Sequence, residues 1–160
     1  GNEKCIDTIV EARPDVIAHN IETVEELQSS VRDRRANYEQ SLSVLRYVKK
    51  TNPEIFTKSS IMLGLGEKDE QLFEAMDDLR KNDVDILTLG QYLRPSSWHL
   101  EVKEFVRPEK FAQLKEAGEK KGFAFVASGP FVRSSYKAGE FFVQNIIENR
   151  KSGKSEKAEK

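Results

Sequence analysis

Phe56-Thr57-Lys58-Ser59-Ser60-Ile61-Met62-Leu63-Gly64-Leu65-Gly66-Glu67 is the stretch that decides the fold. Its first eight residues make a short β-rich run, apolar on both faces, as in a strand buried within a parallel sheet. A glycine-bracketed turn then cuts the run off. Three further runs, at residues 16–20, 85–89 and 123–127, are as short and as rich in Val, Ile, Leu or Phe. Between and after them the period changes. Tyr38, Leu42, Leu45 and Val48 recur at helical spacing, as do Leu72, Phe73, Met76 and Leu79, and then Phe142, Val143, Ile146 and Ile147. Each stripe predicts a core-facing helix side. Thr23 followed by Glu26 has the form of a capping box, and Pro108 suits the first turn of a helix. Such alternation predicts β/α units around a parallel sheet of about four strands. Residues 92–107 make a connection longer than the usual α/β loop of about 2 to 6 residues, a length that points to function. Residues 151–160 hold Lys, Ser, Glu, Gly and one Ala, and are expected to form a disordered basic tail.

Composition narrows the function. The chain has 160 residues, 38% of them hydrophobic, enough for one domain with a core. The 26 Lys and Arg against 27 Asp and Glu leave a net charge of -1. No overall field gathers phosphate backbones or anionic lipid, which disfavours nucleic acid and membrane surfaces as partners. No apolar run approaches the roughly 18 to 20 residues of a membrane span. Cys5 is the single cysteine, so no internal disulfide forms, and only His19 and His99 join it as soft metal ligands. The absence of an initiating Met predicts a processed or excised piece of a longer product.

Each predicted strand is followed by polar or small residues: His19-Asn20-Ile21-Glu22, Gly64-Leu65-Gly66-Glu67, Gly90-Gln91-Tyr92, and Ser128-Gly129-Pro130 leading to Arg133-Ser134-Ser135-Tyr136. In parallel β/α folds these ends share one face, where such enzymes keep their sites. Asn20 and Glu22 suit the two hydroxyls of a ribose, or a helix cap. Gly64 and Gly66 suit close approach of backbone to a ligand, or a tight turn. His19 lacks a metal-ligand spacing and reads as a satisfied histidine, and His99 beside Trp98 is uncommitted. The Arg133 tetrad suits an anion or a hard cation. No nucleophile and base pair is identifiable.

Taken in order and spacing, four strings resemble the C-terminal half of lipoyl synthase, a family of radical S-adenosylmethionine enzymes. They are Asp15-Val16-Ile17-Ala18-His19-Asn20-Ile21-Glu22-Thr23, Met62-Leu63-Gly64-Leu65-Gly66-Glu67, Asp85-Ile86-Leu87-Thr88-Leu89-Gly90-Gln91-Tyr92-Leu93, and residues 127–136 ending in Arg133-Ser134-Ser135-Tyr136. Arg133-Ser134-Ser135-Tyr136-Lys137-Ala138-Gly139-Glu140 is similar to the eukaryotic, organellar forms. The resemblance implies a partial (β/α) barrel, the C-terminal portion of a radical S-adenosylmethionine TIM-like barrel, filling residues 1–150. It implies a sulfurtransferase that inserts two sulfur atoms into an octanoyl chain on a lysine of a lipoyl carrier domain or H protein.

By carry-over, Asn20 and Glu22 contact the ribose of S-adenosylmethionine. Lys58, Ser60, Gly64, Gly66 and Glu67 lie along the same ligand. Tyr92, Arg94 and Arg133 line the substrate approach. Ser134, or failing it Ser135, ligates the auxiliary cluster. The complete enzyme of the family carries two 4Fe-4S clusters, and the resemblance places it in the mitochondrial matrix. The cysteine motifs of both clusters belong to the N-terminal half that this sequence lacks. The chain is therefore expected to need that half as a partner, to hold no cluster alone and to be inactive by itself. The rival expectation is a non-catalytic α/β module that binds a nucleoside or phosphate at its glycine turn.

Overall fold

The deciding stretch folds as expected, and the sheet grows from it on both sides. The protein is described by a computed structural model that covers residues 2–134 together with Gln144 and Glu148. Helix α1 (Glu3–Glu11) leads to strand β1 (Val16–Ala18). A 3-10 turn at Glu25–Leu27, helix α2 (Gln28–Val31) and helix α3 (Tyr38–Thr51) connect it to β2 (Phe56–Leu63). Helix α4 (Asp69–Lys81) leads to β3 (Ile86–Gln91), and helix α5 (Pro108–Lys120) to β4 (Phe125–Gly129). The four strands are parallel, in the order β1-β2-β3-β4, with Ser60 beside Thr88 and Thr88 beside Ala127.

Which face the helices cover decides the architecture. Tyr38, Leu42 and Leu45 of α3, Leu72, Met76 and Leu79 of α4, and Phe111 and Leu114 of α5 share one buried cluster with Ile61, Leu63, Leu87, Leu89 and Val126. Side chains alternate along a strand, so these five lie on a single sheet face. Three successive crossover helices on one face is the winding of a (β/α) barrel, whereas a doubly wound sheet covers both faces. The fold is an α/β partial barrel of four parallel strands. The opposite face carries Lys58, Ser60, Met62, Thr88 and Gly90 in register.

Local signals explain most boundaries. Asn37 caps α3 by accepting the Gln40 amide at 2.8 Å, and Pro108 occupies the first turn of α5, where its missing N–H costs nothing. At the other end of the sheet Asp85 ties β2 to β3. Its carboxylate accepts the Thr57 amide at 2.7 Å and pairs with Lys49 at 2.7 Å, both partners being largely buried.

Several expectations need correction. Strand β1 stops at Ala18 rather than at residue 20, because the chain turns away to place Glu22 against β2. Strands β3 and β4 end two residues later than expected, so Gly90, Gln91, Ser128 and Gly129 lie within strands and not beyond them. Thr23 and Glu26 form no capping box. Thr23 is fully buried with its hydroxyl unpartnered, and Val24 occupies the cap position of the turn. Phe73 is 37% exposed and lies under the Lys121 ammonium instead of in the core, since it sits one position off the Leu72–Met76–Leu79 line. Helix α1 was not anticipated, although Ile6 and Val10, four positions apart, are buried at helical spacing; it is only nine residues long. The stripe at 142–147, Ser135, Tyr136 and the tail at 151–160 lie outside the described residues.

Candidate functional site

Glu22 organises the site. The Thr23 amide donates to the Ile21 carbonyl at 2.9 Å across it, a γ-turn whose central residue has φ 66°. Left-handed backbone at a non-glycine residue costs about 1–3 kcal/mol and persists only where the surroundings impose it. Here they do. The Glu22 amide donates to Ser60 O at 3.0 Å and the Met62 amide donates to Glu22 O at 2.8 Å, stitching the turn onto β2 beyond the end of β1. The Ile21 amide donates to Ser59 Oγ at 3.1 Å. Asn20 Nδ2 donates to Glu22 Oε1 at 3.1 Å, which steers the carboxylate.

That carboxylate borders a cleft of about 120 Å³ on the sheet face away from the helices, lined also by Ser60, Met62, Gly90, Arg133 and Ser134. Gly90 is obligatory there, because a Cβ on it would meet Val132 O at 2.0 Å. The chain leaving β4 thereby crosses the end of β3 and brings Arg133 and Ser134 opposite Glu22. Lys58 Nζ donates to Ser134 O, and Arg133 Nη1 donates to Gln91 O at 3.4 Å. Asn20, Glu22, Lys58, Ser60, Arg133 and Ser134 thus converge.

The remaining candidates stand apart from this cleft. The Glu67 carboxylate accepts the Gly64 and Leu65 amides at 2.6 and 2.9 Å and faces a second cleft between α4 and α5, with Asp69, Glu104, Arg107 and Lys110. Gly64 (φ 95°) and Gly66 (φ 106°) shape that turn, against which the Lys103 amide donates to Gly64 O at 2.8 Å. Tyr92 donates its hydroxyl to Leu100 O at 3.0 Å, and Arg94 donates to His99 O at 2.9 Å, so both are engaged inside the 92–107 loop. Ser96 Oγ lies 2.7 Å from His99 Nδ1 in the same exposed loop.

Gln91, which sequence reasoning passed over, anchors that loop. Its Nε2 donates to Leu63 O, Tyr92 O and Glu104 O at 3.2, 2.9 and 3.1 Å, and its Oε1 accepts the Val106 amide at 2.9 Å. A glutamine following an apolar run and a glycine was the available signal. His19 is pushed below the usual histidine value of 6.5, first by burial and then by Arg32, against a smaller opposing pull from Glu22.

An anchored carboxylate beside a small cleft suits a vicinal diol, and the strained turn aims it there, so the residues fit the ribose of a nucleoside. The donor set for an iron–sulfur cluster does not fit: among the described residues no group of three or more His, Cys, Asp or Glu side chains could hold a metal ion, and Cys5 is exposed on α1. Among the same residues no helix is long and apolar enough to cross a membrane.

Comparison with known proteins gives the chain's relatives. Residues 1–79 match the radical SAM superfamily. The chain is 60% identical over 157 residues, 98% of its length, to a Ricinus communis protein named lipoyl synthase, chloroplastic. It is 57% identical over 94% of its length to the lipoyl synthase, mitochondrial, of Trichoplax adhaerens, and 58% identical over 94% to that of Drosophila melanogaster. It spans 43%, 43% and 40% of those proteins respectively, about two fifths of each. On these matches the chain resembles, over nearly its whole length, a segment of proteins named lipoyl synthase, and its first 79 residues match the radical SAM superfamily.

Proposed function

We propose that this chain forms the nucleoside shelf of an enzyme that makes the lipoyl group, a sulfurtransferase working on an octanoyl chain carried by a lipoyl carrier domain or H protein in the mitochondrial matrix. The observation that carries the reading is the strained Glu22 turn at the mouth of the cleft, in a chain with this family's sequence. The Glu22 carboxylate accepts the two ribose hydroxyls of S-adenosylmethionine, and the Asn20 amide holds it at the required angle. Ser60 and Gly90 form the floor. Lys58, by gripping Ser134 O, keeps the segment after β4 over the cleft, and Arg133 places a cation at its rim. Ser134 faces the same space and is the candidate oxygen ligand of the auxiliary cluster, with Ser135 beside it. S-adenosylmethionine, when bound, supplies the radical that removes hydrogen from unactivated carbons. The cysteine-bearing remainder of the enzyme holds the two 4Fe-4S clusters.

Product formation on an octanoylated carrier, followed by mass spectrometry in the full-length protein, tests the reading. Glu22→Gln removes the charge from two hydrogen bonds and is expected to raise KM for S-adenosylmethionine about tenfold or more, since charge-assisted bonds are worth about 1.5–3 kcal/mol. An unchanged KM, or an enzyme that leaves the octanoyl group unmodified in every variant, overturns the proposal. So does preferential binding of inorganic phosphate at the glycine turn, the mark of a non-catalytic module.

A further inference from the structure

We infer that Gln28, backed by Arg32, is the positioning residue that holds the Glu22 carboxylate in its binding geometry; the inference rests on the nucleoside reading above. Gln28 is 7% exposed, and its side chain spans the strained turn from behind. Its Nε2 donates to Ile21 O at 2.8 Å and to Thr23 O at 2.7 Å, the carbonyls on either side of Glu22. One amide nitrogen with two protons thus clamps both flanks of the γ-turn. The orientation of the amide is fixed as well: Gln28 Oε1 accepts Arg32 Nη1 at 3.0 Å, so the nitrogen must face the carbonyls. Arg32 Nη1 lies 2.9 Å from Ser41 Oγ on α3, and 3.4 Å from Ile21 O. The chain of contacts runs from α3 through Arg32 and Gln28 to the turn, while β2 holds the turn from the front.

Gln28 makes no contact with the cleft, and its two protons are spent on backbone. Its effect on a ligand therefore passes through Glu22. Without the clamp the residue relaxes toward an ordinary negative φ, and its carboxylate leaves the orientation set by Asn20.

The test is a mutant cycle in the full-length protein, read as the dissociation constant of S-adenosylmethionine by calorimetry, corrected for folded fraction. Glu22→Gln and Gln28→Met are each expected to weaken binding about tenfold, and the double variant little more than either alone, because coupled residues are non-additive. KM should rise with kcat largely retained. If Glu22→Gln leaves affinity unchanged, the nucleoside reading fails and this inference with it. If Glu22→Gln weakens binding but Gln28→Met does not, or the two effects multiply to about a hundredfold, the positioning role alone is overturned. Should Gln28→Met not fold, Arg32→Lys keeps the charge while losing the bond to Oε1. It is then expected to weaken binding about threefold, an effect absent in the Glu22→Gln background, and equal affinity with and without the substitution refutes the role.

Discussion

Replacing Gln91 with Met should loosen the 92–107 loop and lower stability by about 2–3 kcal/mol. The side chain is 5% exposed; its two Nε2 protons are shared among Leu63 O, Tyr92 O and Glu104 O at 2.9 to 3.2 Å, and its Oε1 accepts the Val106 amide at 2.9 Å. Three bonds' worth at a net 0.5–1.5 kcal/mol each come to about 1.5–4.5 kcal/mol. The lower part of that range applies, because Leu63 O keeps the Tyr92 amide at 2.8 Å and methionine fills a similar volume with an apolar gain. Among the described residues the Val106 amide has no other acceptor, and a half-buried donor left unpaired adds a cost at the low end of about 1–3 kcal/mol. Gln91→Glu is the sharper companion: its shape is retained, but an oxygen then faces three carbonyl oxygens, so it should be the more damaging of the two at neutral pH. Urea unfolding gives the stability change, and amide exchange at Lys103 and Val106 locates it. A loss below about 0.5 kcal/mol, or a larger loss with exchange in the loop unaltered, refutes the anchoring role.

Three further outcomes follow from the same geometry. Gly64→Ala should cost more than about 2 kcal/mol by urea unfolding, since φ is 95° and the new Cβ would lie 2.3 Å from Glu104 O; a near-neutral variant contradicts the close packing of loop on turn. Asp85→Ala strands the Lys49 ammonium and the Thr57 amide and should cost about 3 kcal/mol, with Asp85→Asn milder because it keeps one acceptor. For His19 the folded value lies below 6.5, so as pH falls the unfolded chain takes the proton first. Stability is therefore lost as pH drops from about 7 toward the lowered value, and His19→Gln should flatten that slope; an identical slope in the variant contradicts burial as the cause.

How much of this was legible in the sequence depends on the kind of interaction. Strand β2 and helices α3 and α4 follow from apolar spacing, because burial against a single sheet face imposes a period that single residues rarely break, whereas for α5 only Pro108 at its first turn was read. Phe73 is the exception, one position off the line and accommodated at the surface. The polar strand ends pointed to the edge of the sheet where the cleft with Glu22, Ser60 and Gly90 lies. What stayed hidden depends on long-range partners. Gly90 sits near the end of β3 for the sake of Val132, forty-two positions away. Gln91 and Gln28 are buried by carbonyls that only the folded chain brings near them. Thr23-Val24-Glu25-Glu26 carries the letters of a capping box, yet the demands of the Glu22 turn override it and bury Thr23. Asn20 and Glu22 stood out as polar residues after the first strand, but that the Asn20 amide holds the Glu22 carboxylate needed the 3.1 Å bond to be seen.

The central claim is that Glu22 presents its carboxylate to a nucleoside in the cleft beside Ser60 and Gly90, and a structure of the full-length protein crystallised with S-adenosylmethionine tests it most directly. The account predicts both ribose hydroxyls within about 2.7–3.2 Å of the Glu22 carboxylate, with φ at Glu22 still positive and the Gln28 amide still on Ile21 O and Thr23 O. A nucleoside seated instead between α4 and α5 against Glu67, Arg107 and Lys110, with Glu22 free of it, would contradict the account.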